Sequence, residues 1–229
     1  LQGEWLQAPE GWHAPLVPSA GDAAWHEMPA LADLFPWQQP GCKFGRTWPI
    51  ATTRETLEKR WEHFVSAPLE SRAALFVTAK TGRNIATRVP GYVPLNSLKA
   101  GDPPPPIVRY GYRSFDRQWA FQDPRVAALE RPALWQSVSE SQIYFAAPMT
   151  AKTSEGPTLT VSVDVPDMHY FNGRGGKDIL PLYRDEAGQQ PNLARGLQKA
   201  LATQLGIATP TPEDIGAYVY ALLSSPNYQ

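Results

Sequence analysis

Twenty-four of the 229 residues are proline, and this limits the fold more than any other feature of the chain. Proline removes a backbone donor and is poorly tolerated inside helices and central strands. At roughly twice its usual frequency of about 5%, it predicts short strands, turns and loops, with few long helices. The apolar fraction of 42% and charged fraction of 19% are those of an ordinary globular chain, long enough for one sizeable core. No window approaches the roughly 18 consecutive apolar residues of a membrane span, and no basic-then-apolar leader opens the chain. A cytoplasmic location without a membrane partner is expected. The chain starts at Leu1 rather than methionine, which suggests a fragment or a processed chain. The single cysteine, Cys42, excludes an internal disulfide and a cysteine-cluster zinc site.

Residues 1–50 show no sustained period and carry Trp5, Trp12, Trp25, Trp37 and Trp48 among prolines and glycines. A disordered tail would be poor in tryptophan, so this reads as an extended arm, laid over a neighbouring surface or folded back over its own core. Thr52-Thr53-Arg54-Glu55 has the pattern of a capping box, and Leu57, Trp61, Phe64 and Val65 recur at helical spacing, predicting about three turns. Pro68 ends them. A second helix is expected from Ser66 or Ala67 with Leu69, Ala73 and Phe76 on one face, making residues 51–80 a helical hairpin.

Residues 81–190 read as a strand-rich core. Lys80 to Asp102 is loop, and Pro103 to Pro106 form a stiff connector. Asp102-Pro103-Pro104 does not continue into the D-P-P-[YF] motif of amino-methyltransferases, because Pro105 stands where the base-stacking ring is needed. Asp123-Pro124 predicts a short helix through Glu130. Residues 142–145 and 159–165 read as strands, the second with Leu159, Val161, Val163 and Val165 facing inward and Thr160, Ser162 and Asp164 facing solvent. Residues 191–229 give a closing helical pair: a stripe of Leu193, Leu197, Leu201 and Leu205 ended by Gly206, then a helix from Thr211-Pro212 with Ile215, Tyr218, Val219, Leu222 and Leu223 as its core face. The whole predicts a single α+β unit with a mixed or antiparallel central sheet, flanking helical hairpins and an irregular aromatic-rich N-terminal arm.

Motifs for chemistry are scarce. No lysine has Asp or Glu two residues before it, so the D/E-x-K triplet of restriction nucleases is absent. His13, His26, His63 and His169 lack metal-binding spacing, and no G-x-S-x-G occurs. Cys42 has nothing near it in sequence to lower its pKa and reads as a passive thiol. Asp164, Asp167 and Asp178 could serve as paired acids of a hydrolase, although solvent-face and turn positions explain them as well.

Cations carry the stronger signal. In Ile107 to Gln122, Arg109, Arg113 and Arg117 alternate with Tyr110, Tyr112, Phe115, Trp119 and Phe121. Guanidinium forks suit phosphates and guanine edges, and flat rings stack on bases or on the guanidinium planes. The alternative is an internal salt bridge in an aromatic core, since Asp116 adjoins Arg117. The net charge of −1 weighs against an isolated high-affinity DNA binder. Between Lys80 and Arg131, however, nine cations face four anions. Asn172-Gly173-Arg174-Gly175-Gly176-Lys177 reads as a tight hairpin whose amides and cations could meet an anion, or as a solvated tip; it lacks the spacing of a Walker loop.

The run Arg109 to Arg117 resembles the Y-R-[PS]-F-D-x-R signature near the start of the C-terminal specificity domain of type ISP restriction-modification enzymes. Asp33 to Trp37, Pro40-Gly41 and Arg46-Thr47-Trp48 resemble that family's D-L-F-P-W-x-x-P-G-x-x-x-x-R-T-W segment. His169 to Phe171, Gly173 to Gly175 and Asp178 to Tyr183 look like its glycine-bearing strand pair, and Asp214 to Pro226 like its closing helix. The resemblance implies a target-recognition module for double-stranded DNA, reading the major groove beside nuclease, helicase and methyltransferase domains of a longer polypeptide. That methyltransferase would modify an adenine at N6 with S-adenosylmethionine, leaving no cofactor, metal or catalytic residue to this chain. Arg109, Arg113, Arg117, Arg174 and Lys177 are the candidate DNA contacts, with Arg83 and Arg88 as further ones. The signature arginines could instead be scaffold while loops near Lys80 to Lys99 or Lys152 to Glu155 do the reading. Two other classes remain open: a hydrolase-like enzyme using Asp164 or Asp167, and an interaction domain docking through the tryptophan-rich arm.

Overall fold

A computed structural model describes residues 28–77, 83–147, 158–170 and 178–224. Its helices are α1 (Leu31–Leu34), α2 (Arg54–Ser66), α3 (Leu69–Phe76), α4 (Pro132–Gln136), α5 (Leu197–Leu205) and α6 (Pro212–Leu223). Its strands are β1 (Gln39–Pro40), β2 (Ile50–Ala51), β3 (Ile107–Arg113), β4 (Asp116–Phe121), β5 (Tyr144–Ala147), β6 (Thr160–Ser162) and β7 (Asp178–Pro181). They make an α+β fold with two sheets, ordered β1-β7-β5-β6 and β2-β4-β3, antiparallel at every strand pair. No described strand exceeds seven residues, as the proline content predicts.

Two apolar clusters form the core, and the four-stranded sheet contributes to both, with Tyr144, Ala146 and Ile179 in the first and Phe145 and Leu180 in the second. Trp48 is the hub of the first, with ring centroids of Phe64, Phe76 and Phe121 5.2, 5.4 and 5.4 Å away. These rings join α2 and α3 to the three-stranded sheet, and Leu57, Trp61, Phe64 and Val65 are the buried residues of α2, as its periodicity predicts. The second cluster packs Phe35, Phe145, Leu180 and Leu182 against Ile215, Val219 and Leu223 of α6. The arm from Leu31 onward therefore folds back on its own core. Asn192 ties it down, accepting from the Trp37 amide at 2.9 Å and donating to the Trp37 and Pro181 carbonyls at 2.7 and 2.9 Å. Trp5, Trp12 and Trp25 lie outside the described residues.

Residues 165–168 link the two sheets. The Cys42 amide donates to the Pro166 carbonyl and the Met168 amide to the Cys42 carbonyl, at 3.0 and 2.7 Å. On the other side the Gly111 amide donates to Val165 and the Asp167 amide to Gly111, at 3.1 and 2.8 Å. This close approach requires glycine: a Cβ on Gly41 would sit 2.7 Å from the backbone of Pro166 and Asp167, and one on Gly111 2.9 Å from Ser162 Oγ.

Several local expectations are corrected. The cap of α2 is Thr53, one residue later than the Thr52 box, accepting from the Thr56 amide at 3.2 Å. In α3 the buried residues are Arg72 and Phe76, while Leu69 and Ala73 are exposed. Arg72 is drawn inward by open carbonyls: it donates to Val65 and Ala67 at the end of α2, at 2.7 and 3.0 Å, and to Leu98 at 2.7 Å. No helix follows Asp123, because its carboxylate accepts from the Arg125 backbone amide and side chain and closes a tight turn instead. In the 159–165 segment the strand stops at Ser162; Val163 is exposed, and Ser162 and Asp164 are buried. At the C-terminus, Gly206 caps α5 at φ 66°, and Thr211 forms a capping box with Asp214. Tyr218 and Leu222, however, face outward from α6, and Leu205 from α5.

Candidate nucleic-acid interface

The β3–β4 hairpin carries the arginine and aromatic cluster. Arg113 pairs with Asp116 across a two-residue loop, Ser114-Phe115, and the register shifts between Gly111 and Arg113, where one extra residue lies on β3. Ser114 fixes the loop by donating both its amide, at 3.0 Å, and its hydroxyl, at 3.1 Å, to the Tyr170 carbonyl. Phe115 takes φ 63°, and the residue is fully exposed.

The three hairpin arginines have different surroundings. Arg109 is exposed and faces Trp119 across the strands, its guanidinium 4.3 Å from the ring centroid. Arg113 donates to Asp167 at 3.0 Å, and Arg117 reaches Asp164 through Nε at 2.6 Å and Nη2 at 3.2 Å. Both aspartates are buried, whereas the arginine side chains are 38% and 55% exposed. Asp164's hydrogen bonds and charge hold the Arg117 pKa above its ordinary value. The hairpin thus does form internal salt bridges, but to Asp164 and Asp167 rather than to the adjacent Asp116, which takes Gln118.

Asp167 also accepts from the Tyr110 hydroxyl at 2.6 Å and the His169 amide at 2.7 Å. Burial, then the nearby Cys42 and Asp167, pushes the Tyr110 phenol well above its usual range. Burial, then Asp167, pushes the Cys42 thiol up to about 12. A thiol so held is not a nucleophile near neutrality. Asp164 and Asp167 have their oxygens engaged by guanidinium, phenol and amide groups, and neither lines either of the two main clefts. The open, paired-acid arrangement that the hydrolase reading needs is not formed. No cluster of His, Cys, Asp or Glu that could hold a metal occurs among the described residues.

The remaining candidates lie elsewhere. Arg83 is bound to the Pro124 carbonyl and to Glu130 at 3.5 Å, and so is tied into the fold. Arg88 is exposed and makes no ion pair among the described residues. Arg174 and Lys177, like the Lys152 to Glu155 loop, lie outside the described residues. Of the nine cations between Lys80 and Arg131, Arg125 and Arg83 pair with Asp123 and Glu130 inside that window, and the surplus that remains is reduced by Asp164 at Arg117 and Asp167 at Arg113 from outside it. Sequence reading missed the two aspartates as partners of the arginines; their three-residue separation was the one available sign that they act together.

The type ISP C-terminal specificity domain family matches residues 33–229. The chain belongs to that family. No curated protein sequence matches it. Among solved structures, the specificity domain is similar to part of a cryo-EM DrdV–DNA complex, with TM-score 0.52 and 18% identity over 84% of this chain. It is also similar to part of the ATP-dependent type ISP restriction-modification enzyme LlaBIII bound to DNA, with TM-score 0.54 and 16% identity over 85% of this chain. At these identities the likeness concerns the fold. The specificity domain covers 20% and 13% of those two chains. No helix among its described residues is long and apolar enough to cross a membrane.

Proposed function

We propose that this chain selects the DNA target of a type ISP restriction-modification enzyme, acting as one recognition unit that grips the major groove of a duplex beside catalytic domains in the same polypeptide. The observation that carries the reading is the braced β3–β4 hairpin, which presents three guanidiniums and an exposed ring from a chain of the specificity-domain family. Guanidiniums held by carboxylates behind them are pre-oriented for phosphates or guanine edges, which raises specificity at little entropic cost. Arg109 on Trp119, the outer donors of Arg113 and Arg117, and Arg174 and Lys177 are the proposed contacts, with Arg88 as a peripheral one.

Catalysis is assigned to the neighbouring domains: an adenine N6-methyltransferase using S-adenosylmethionine, and a nuclease-translocase, in the cytoplasm. This chain's own larger groove, about 760 Å³, does not suit that cofactor. It is walled by rings and prolines, and its carboxylates, Asp123 and Glu130, already hold Arg125 and Arg83.

The test is selection from a randomised duplex library by the intact protein, followed by affinity against salt concentration. A single enriched sequence is expected, with Arg174→Ala plus Lys177→Ala lowering the salt slope by about 0.9 for each phosphate that is no longer neutralised. Arg109→Ala should weaken binding while lowering stability only by the roughly 0.5–1 kcal/mol of an exposed cation–π contact with Trp119. Equal affinity for enriched and random duplexes would overturn the reading.

A further inference from the structure

Phe115 is not buried by the described residues and stands at the edge of a cleft lined with Arg117, Val161 and Tyr170. It is fully exposed, and the backbone beneath it adopts φ 63°, a conformation that glycine or asparagine takes far more readily than an aromatic residue. Backbone strain of this kind persists where surrounding structure over-determines it, and it gathers at sites of function. Here the surroundings are specific: Ser114 is held to Tyr170, Arg113 to Asp167, and Arg117 to Asp164. Every brace runs to residues 164–170, so the ring stands on a stiff projection.

What it meets can be read from its flanks. Two residues to either side stand Arg113 and Arg117. Asp167 engages one nitrogen of Arg113 and Asp164 two of Arg117, so each guanidinium keeps N–H donors for an outside acceptor. Along the hairpin tip the ring is flanked by two cations, a set that complements stacked rings bordered by anions, as a nucleic-acid duplex presents with base steps between two phosphate rows. A pocket on a protein would match the ring but not the paired cations.

Resting on the DNA-binding reading above, we infer that Phe115 is a wedge: its ring enters a base step of the bound duplex and unstacks it while Arg113 and Arg117 hold the flanking phosphates. The deformability of that step then contributes to target choice without a base-edge hydrogen bond.

The test uses the intact protein and its selected duplex, carrying 2-aminopurine at each position in turn. One position is expected to brighten on binding. Phe115→Ala should abolish that signal and weaken binding by about tenfold, the loss typical of one stacked ring, whereas Phe115→Trp should retain it. Melting of the alanine variant at or above the wild-type temperature excludes misfolding as the cause. Photo-crosslinking from p-benzoylphenylalanine at position 115 should reach the DNA. Normal duplex selection without a Phe115-dependent signal, or a crosslink only to protein, overturns the wedge and leaves DNA recognition standing. Absence of any sequence preference overturns both.

Discussion

The backbone of Phe115 lies at φ 63° beneath a wholly exposed ring, which makes the sign of one substitution calculable. The left-handed region costs an ordinary L-residue roughly 1–2 kcal/mol, and asparagine is among the few that visit it routinely. Removing the ring forfeits no buried apolar area, because none is buried. Phe115→Asn should therefore recover most of the strain and stabilise the protein by about 1 kcal/mol. For chains of this size a kilocalorie moves Tm by roughly 2–4 °C, so the asparagine variant should melt about that much higher. Phe115→Gly should gain less, because glycine's freedom in the unfolded chain returns about 0.5–1 kcal/mol. Phe115→Val should lose stability, since a β-branched residue fits this region worse still. Thermal melts and urea titrations measure all three, with an unchanged m-value showing that the denatured state is comparable. An asparagine variant less stable than the parent would falsify the argument, because the ring would then be supported within the fold.

Other consequences of the geometry are equally measurable. Gly41→Ala pushes a methyl into the backbone of Pro166 and Asp167 and should destabilise by about 1–3 kcal/mol, as overpacking does, seen as a lower urea midpoint. Arg72→Ala strands three carbonyls and should cost about 3 kcal/mol, and Arg72→Lys should rescue little because an ammonium lacks the planar fork. Cys42, its thiol raised by burial to about 12, should resist a thiol-specific disulfide reagent at pH 8 until the protein unfolds. Tyr110 and Tyr183, both raised chiefly by burial, the latter to about 12 with Glu213 accepting from it, bind their protons more tightly when folded. The stability they contribute is complete below the unfolded value near 10 and is lost as pH rises through the folded values, so phenolate absorbance should rise together with loss of structure above pH 10.

How far the sequence can be read depends on how local each decision is. The buried face of α2 and the termini of α5 and α6 follow from helical period, threonine caps and a glycine, all set by neighbours in the chain. The burial of Asp164 does not. The sequence around it alternates as a half-exposed strand would, but the strand ends at Ser162 and the guanidinium that holds Asp164 is 47 positions away. Arg72 reverses the face of α3 for the same kind of reason, since the carbonyl of Leu98 lies 26 residues on. At the candidate site, the gathering of arginines and rings was visible in a single stretch. Their division into an outward-facing Arg109 and two clamped partners was not, because it depends on Asp164 and Asp167.

Under the proposed DNA-recognition role, the clamps also couple fidelity to rigidity. Arg113 and Arg117 grow from the three-stranded sheet, while the aspartates that aim them follow β6 of the four-stranded sheet. A shift of one sheet against the other would therefore re-aim both guanidiniums. Variants that loosen this joint should mistake one site for another at temperatures where they still look folded, so that errors of selection give the earliest warning of lost stability.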